Sequence, residues 1–249
     1  HRGSPSGVSA AVYDAAIVGL GYVGLPLCLA FSRAGARVLG IDVDGVKVAS
    51  LSKGRSYIKH ISDADVSTAV GDRRFAATTD FAEAAKARAV LICVPTPLTA
   101  NRTPDLSYVE STARALAPHL CKGHLIVLES TTYPGTTEDV MRPILEEGSG
   151  LVAGRDFHLA FSPEREDPGN PRSKLSEVPK VVGGLTPACR ERAEELYKRI
   201  VKEVVSVSSC RIAEATKLTE NIFRSVNIAL VNRSEEHTSE LQSRVDISY

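Results

Sequence analysis

The sequence predicts an α/β fold, a doubly wound parallel sheet with crossover helices, followed by one long connecting helix. Three observations carry that expectation. Short apolar runs alternate with helical patterns along most of the chain, as strands and crossover helices do in a parallel sheet. The first run, Ala15-Ala16-Ile17-Val18, leads straight into Gly19-Leu20-Gly21-Tyr22-Val23-Gly24 and then a helical pattern. The next strand ends at Asp42, eighteen residues past the last of those glycines. A glycine loop between strand and helix, with an acidic residue closing the second strand, is the pattern of a Rossmann-like dinucleotide site.

Each glycine has its own task there. Gly19 allows the tight turn out of the strand, Gly21 lets the backbone approach a pyrophosphate, and Gly24 lets the helix pack close to the sheet. The helix's free N–H groups and positive end then face the phosphates. Asp42 can accept hydrogen bonds from the adenosine ribose hydroxyls and would repel a 2′-phosphate, so NAD is expected rather than NADP. The competing reading is a glycine turn that binds nothing.

The elements follow in order. Strands are expected at Ala15–Val18, Val38–Ile41, Phe75–Thr78, Ala89–Val94, Leu125–Leu128, His158–Phe161, Val181–Gly184 (with its turn) and Val204–Val207, each a short apolar run bounded by turn residues. Helices are expected at Leu25–Arg33, Val46–Ser52, Asp63–Val70, Phe81–Ala87, Tyr108–Ala117, Thr137–Glu147 and Cys189–Val201. The long last helix, Ile212–Val231, completes the pattern. The domain division that results is an N-terminal extension over residues 1–13, a dinucleotide-binding domain over 14–208 and the start of a connecting helix over 210–232. Residues 233–249 turn abruptly polar after Ile228-Ala229-Leu230-Val231. They look like translated adapter sequence and are set outside the fold.

Bulk properties exclude several classes. The chain has 249 residues, 43% hydrophobic, enough for one large core or two smaller ones. Thirty basic and thirty acidic residues are interspersed without blocks and cancel, so neither nucleic acid nor a membrane surface is an expected partner. Apolar runs are strand-sized, far short of the ~20 residues of a spanning helix, and no signal-peptide core precedes Asp14. The five cysteines (Cys28, Cys93, Cys121, Cys189, Cys210) are scattered without a C-x-x-C, and the six histidines are not spaced with them. Reduced cytoplasmic thiols and no metal are the expectation. The chain opens on His1 and its one methionine is Met141, which reads as a piece of a longer product.

Ligands in open α/β sheets bind beyond the carboxyl ends of the strands. Thr96, Ser130, Thr131 and Glu164 each lie just past an expected strand and would gather on one rim with the glycine loop. On the last helix, at ~100° per residue, Leu218, Ile222, Val226, Ala229 and Leu230 share one face. Lys217, Asn221 and Arg224 lie opposite. That polar side is either a solvated face or a stripe turned toward a buried ligand, where an ammonium and an amide could hold an oxyanion and a water.

Taken together, Gly19–Pro26, Val94-Pro95-Thr96-Pro97, Ser130-Thr131, Ser162-Pro163-Glu164 and Lys217-Leu218-Thr219-Glu220-Asn221 resemble, in order, the NAD domain and connecting helix of the UDP-glucose/UDP-mannuronate dehydrogenase family of UDP-sugar 6-dehydrogenases. The resemblance covers about Asp14 to Asn232. Ser56–Ile61 and Phe161–Asn170 resemble the bacterial UDP-N-acetylglucosamine branch.

Such enzymes take a sugar C6 alcohol to a carboxylate with two NAD molecules, holding the intermediate aldehyde on a cysteine as a thiohemiacetal and hydrolysing the thioester that follows. The resemblance implies a cofactor set of Gly19, Gly21, Tyr22, Val23, Gly24, Asp42, Lys47, Val94, Thr96, Ser130 and Thr131. It implies a UDP-sugar set of Glu164, Arg165, Lys217, Asn221 and Arg224. Lys217 would stabilise the developing alkoxide, and Asn221 would share that task. Thr131 would orient a water, and Glu164 would act as general base or acid in thioester hydrolysis.

One departure stands out. The family's nucleophilic cysteine lies beyond the connecting helix, where its UDP-binding C-terminal domain begins, and none of the five cysteines here has the required neighbours. The chain as written is therefore expected to be inactive although its parent is an enzyme. UDP-glucose or UDP-N-acetylmannosamine dehydrogenases are the runner-up. A 3-hydroxyacid or 6-phosphogluconate dehydrogenase fits Ser130-Thr131 and Pro163-Glu164 poorly. A non-catalytic NAD-binding module would not need Thr131, Glu164, Lys217 and Asn221. The apolar face of the last helix predicts a homodimer or higher homo-oligomer.

Overall fold

The computed structural model describes residues 11–97, 99, 103–164, 177–220 and 223. Eight strands form one sheet: β1 (Tyr13–Val18), β2 (Val38–Ile41), β3 (Phe75–Thr78), β4 (Ala87–Ile92), β5 (Leu125–Leu128), β6 (His158–Phe161), β7 (Lys180–Gly184) and β8 (Val204–Val207). Their spatial order is β3-β2-β1-β4-β5-β6-β7-β8. The first six are mutually parallel, with β1 flanked by β2 and β4. That places the switch in winding direction beside the glycine loop, where such sheets open a crevice.

The sheet is parallel as expected except for one reversal near its far edge. β7 runs antiparallel to β6, pairing Ala160 with Gly184 and Phe161 with Gly183, and β8 then follows parallel to β7. The apolar run Lys180–Gly184 shows a strand but not its direction, because direction is set by the connection and not by local pattern.

Among the described residues, six helices pack on the sheet: α1 (Gly24–Arg33), α2 (Gly45–Ser52), α3 (Asp63–Gly71), α4 (Ser107–Leu116), α5 (Arg142–Ser149) and α6 (Pro187–Tyr197). A seventh, α7, covers residues 210–220. The side chains of Asp44, Ser62 and Thr186 accept backbone N–H bonds at the starts of α2, α3 and α6, satisfying donors the first turn leaves free. The expected helix Thr137–Glu147 is instead a π-helical turn, Thr136–Met141, running into α5. Pro143 lacks the N–H that a continuous α-ladder needs at that point. Phe81–Lys86 is a 3-10 turn. β4 stops at Ile92, so Cys93 and Val94 leave the sheet earlier than their apolar character suggests.

Both sheet faces are buried. Ala15, Ile17, Ala89, Leu91, Leu125 and Val127 pack with Leu25, Phe31, Val66 and Tyr197 on one side. Ala16, Val18, Val90, Ile92, Ile126 and Leu128 pack with Val109, Ala113, Met141, Leu145 and Ala213 on the other. Period-two alternation with apolar residues at both phases is what a sheet covered on two sides requires. Among the described residues, no helix is long and apolar enough to cross a membrane.

Two histidines sit at the amino edge of this sheet. His124 is buried, and its Nδ1 accepts a hydrogen bond from the Cys121 N–H at 3.2 Å. Burial holds the His124 pKa below its ordinary 6.5, and burial with nearby Arg192 does the same to His158. The unfolded chain then binds protons that the folded chain refuses. The stabilisation from keeping these rings neutral is complete above about pH 6.5 and is lost as pH falls toward the depressed folded values. Urea midpoints measured between about pH 5 and pH 8 should therefore fall on the acid side, and His124→Gln should flatten the slope.

Candidate functional site

The glycine loop is held by geometry that only glycine permits. Gly19 has φ +92°, and a Cβ there would lie 2.5 Å from the Cys93 carbonyl oxygen. A Cβ on Gly24 would lie 1.8 Å from the Gly19 carbonyl oxygen. Gly21 differs, because among the described residues nothing beyond its chain neighbours stands within 4 Å of its Cβ position. The first two glycines therefore answer to the protein's own packing, and Gly21 faces open space. Val23 at the N-cap offers no capping side chain and no acidic residue occupies the first turn of α1, which leaves its positive end suited to an anion.

Asp42 closes β2, buried, with each carboxylate oxygen fixed. Oδ2 accepts from the Leu20 N–H at 2.8 Å and Oδ1 from the Asp44 N–H at 2.9 Å. A carboxylate has about four acceptor positions, which leaves capacity for ribose hydroxyls. Lys47 Nζ stands 3.7 Å from Oδ2 and 5.9 Å from the Tyr57 ring centroid. The Tyr57 hydroxyl donates to the Leu20 carbonyl, and burial and the Asp42 carboxylate raise its pKa and keep it a donor. Tyr22 stacks on His60 at 6.1 Å between centroids. Tyr57 and His60 brace the loop from 37 and 38 residues away, and no local sequence signal announces either contact.

The rim beyond β4, β5 and β6 is tied together in the same way. Ser130 Oγ donates to the Val94 carbonyl at 2.6 Å, and Thr96 Oγ1 donates to the Thr131 carbonyl. Lys217 Nζ, on α7, donates to the Glu164 carbonyl at 2.9 Å. An ammonium held by one carbonyl keeps two further donors. Thr132 Oγ1, beside Thr131, is buried with no hydrogen-bond partner among the described residues, a polar atom suited to a bound group or water. Arg165, Asn221 and Arg224 lie outside the described residues.

Within its described residues, α7 favours one of the two readings of its polar side. Cys210, Ala213 and Glu214 are buried, Lys217 is half-buried beneath them, and Leu218 is 43% exposed. Within residues 210–220, then, the Lys217 side faces the rim and Leu218 faces outward, as one arm of the sequence reading allowed.

Sequence reasoning missed a second group at this rim. Glu129, Lys180 and Tyr197 are buried together. Lys180 Nζ lies 3.0 Å from Glu129 Oε2 and donates to the Pro163 carbonyl at 3.1 Å, while the Tyr197 hydroxyl donates to Glu129 Oε1. Among the described residues, no group of three or more His, Cys, Asp or Glu could hold a metal ion.

A β1-loop-α1 turn with an open Gly21, an uncapped α1 start and a buried acid at the end of β2 defines a dinucleotide-binding domain, and the donor set fits NAD. The chain belongs to the UDP-glucose/GDP-mannose dehydrogenase family, whose NAD binding domain matches residues 13–201. It is 41% identical over 223 residues to the UDP-N-acetyl-D-mannosamine dehydrogenase of Escherichia coli (strain K12), covering 87% of this chain and 52% of that protein. It is 36% identical over 218 residues to the UDP-N-acetyl-D-glucosamine 6-dehydrogenase of Pseudomonas aeruginosa, covering 87% of this chain and 51% of that protein. The UDP-D-ManNAc dehydrogenase structure from Pyrococcus horikoshii superposes with a TM-score of 0.82 at 36% identity, over 88% of this chain and 52% of that one. The chain thus spans about half the length of the relatives it matches.

Proposed function

We propose that the chain is the cofactor half of an NAD-dependent dehydrogenase that oxidises the C6 hydroxyl of a UDP-N-acetylhexosamine to a carboxylate in the cytoplasm. The observation that carries this is the convergence of Thr96, Ser130, Thr131, Glu164 and Lys217 on one rim, the rim that also holds the glycine loop. A bare binding module needs the loop and Asp42 alone. Bound NAD supplies the hydride acceptor. Gly21 and the α1 start would receive its pyrophosphate, Asp42 with Lys47 its adenosine ribose, and Val94, Thr96, Ser130 and Thr131 its nicotinamide side. The free donors of Lys217 would stabilise negative charge growing on the C6 oxygen, and Glu164 would take or return a proton. Asn221, Arg165 and Arg224 join this assignment on sequence grounds. UDP-N-acetylglucosamine is the leading sugar from the Ser56–Ile61 and Phe161–Asn170 segments. The 41% identity to a relative named for UDP-N-acetyl-D-mannosamine favours that sugar as the second reading. The outward apolar side of α7, with Ile212 and Leu218 exposed, supports homodimerisation.

Calorimetric titration of the chain with NAD and NADP tests the cofactor half. NAD should bind and NADP should bind weakly. Asp42→Asn, which keeps the shape but removes the charge that repels a 2′-phosphate, should shrink that preference about tenfold. Equal affinity for both cofactors in the unaltered chain would sink the assignment of Asp42. Mixed with NAD and UDP-N-acetylglucosamine, the 249-residue chain should yield no NADH, because most UDP contacts of the resembled family come from a C-terminal half outside these residues, and any aldehyde formed would find no cysteine to hold it for the second oxidation. The parent protein with its C-terminal half, run on a panel of UDP-sugars, decides the substrate.

A further inference from the structure

We propose that Glu129, Lys180 and Tyr197 form a buried positioning network that sets the Ser130–Thr131 loop and the Pro163–Glu164 loop relative to each other, and so places the nicotinamide end of the cofactor. The proposal rests on the NAD reading above and adds residues to that site which touch neither cofactor nor sugar. Glu129 is 2% exposed, Lys180 3% and Tyr197 0%. Glu129 immediately precedes Ser130, and Pro163 immediately precedes Glu164. Lys180 Nζ bridges the two, 3.0 Å from Glu129 Oε2 and 3.1 Å from the Pro163 carbonyl oxygen. It also lies 5.1 Å from the Tyr197 ring centroid, and the Tyr197 hydroxyl holds the other Glu129 oxygen.

Stability alone is a poor reason for such a pair. Two charges removed from water cost more than well-packed apolar residues of similar volume in many proteins. What the ion pair supplies is direction, because each hydrogen bond fixes one loop at one distance. The reversed strand β7 makes this possible. In a parallel β7, Lys180 would begin the strand at the amino edge of the sheet. Antiparallel pairing to β6 puts the start of β7 at the carboxyl edge, beside the loops that follow β5 and β6. Burial and the neighbouring carboxylate raise the Tyr197 pKa, so its hydroxyl stays a donor to Glu129.

NADH fluorescence reports the nicotinamide environment, and ADP-ribose binding reports the rest of the cofactor site. The test compares both ligands on the full chain and on Lys180→Met, Glu129→Gln, Tyr197→Phe and the Glu129→Gln/Lys180→Met double variant, with thermal unfolding of each. The single variants should hold ADP-ribose affinity within about twofold, weaken NADH about tenfold or more, and lose the enhanced emission of the bound nicotinamide. The double variant should regain thermal stability without regaining that emission. Tyr197→Phe, which removes one oxygen, carries the test if Lys180→Met does not fold. ADP-ribose and NADH weakening in step, or emission restored in the double variant, would make the network structural only and overturn the proposal. An unaltered chain that binds neither ligand overturns the NAD reading and the network's role with it.

Discussion

Gly24→Ala should destabilise the chain by about 3 kcal/mol or more, whereas Gly21→Ala, three residues away, should leave it as stable as before and abolish most NAD binding. The two glycines look alike in sequence and differ in what surrounds them. A methyl on Gly24 would overlap the Gly19 backbone carbonyl at 1.8 Å, and a carbonyl at a strand exit has no rotamer with which to move aside. α1 would have to lift from the sheet, pulling Leu25, Leu27, Cys28 and Phe31 out of their packing against β1 and β4. A Cβ on Gly21 would meet nothing within 4 Å among the described residues beyond its chain neighbours, so alanine there costs the fold nothing and stiffens the unfolded chain slightly. Its methyl instead occupies the approach to the uncapped start of α1. Urea unfolding and calorimetric NAD titration of both variants separate these effects. A Gly21→Ala chain that binds NAD as tightly as the original would remove the pyrophosphate from this loop.

The same contrast explains how much of the molecule was legible. Period-two apolar runs locate β2, β3, β5, β6 and β8 at Val38–Ile41, Phe75–Thr78, Leu125–Leu128, His158–Phe161 and Val204–Val207, with the bounds expected from sequence. Burial on both faces demands those residues in β2, β5 and β6, whereas β3 and β8, the two edge strands, are only part-buried and show by their β-branched or aromatic residues between turns. The glycine loop and Asp42 are readable because the site's chemistry is written within one strand-helix-strand unit. What was not legible depends on distant partners. The direction of β7 follows from its connection. The π-helical turn at Thr136–Met141 reflects a proline and a carboxylate 77 residues away in sequence acting together. Glu129 and Lys180, 51 residues apart, look like ordinary loop and strand-end charges until the fold brings them into contact. Lys217 was ambiguous for a related reason. Helical periodicity tells which residues share a face, and only packing tells which face turns inward.

Glu214→Ala should cost about 3 kcal/mol, the second large effect expected. Glu214 lies on the inner face of α7, and its carboxylate accepts from the Gly135 N–H at 2.6 Å, the Thr137 N–H at 2.9 Å and the Thr137 hydroxyl at 2.7 Å. The turn that begins at Gly135, with φ +102°, has no capping side chain of its own. Glu214 supplies that cap from another element, placing negative charge at the positive end of Thr136–Ser149. Alanine would strand two backbone donors and a hydroxyl away from water, each unsatisfied group costing about 1–3 kcal/mol unless the hydroxyl turns or water enters. The consequence reaches the site. The segment carrying Ser130, Thr131 and Thr132 is anchored at Glu129 by Lys180 and at Gly135 by Glu214, and α7 also carries Lys217. Loosening that second anchor should therefore weaken NADH binding as well as stability. Burial raises the Glu214 pKa above its ordinary 4.5 despite those hydrogen bonds. The folded chain then holds a proton that the unfolded chain releases, so this group's contribution is complete below about pH 4.5 and declines as pH rises through the folded value. Glu214→Gln keeps one acceptor oxygen and has no proton to lose. Its stability, by urea unfolding across the same pH range, should fall by about half as much as for alanine at neutral pH and lack that declining limb. A glutamine variant whose pH profile follows the original chain would show that another carboxylate carries the slope.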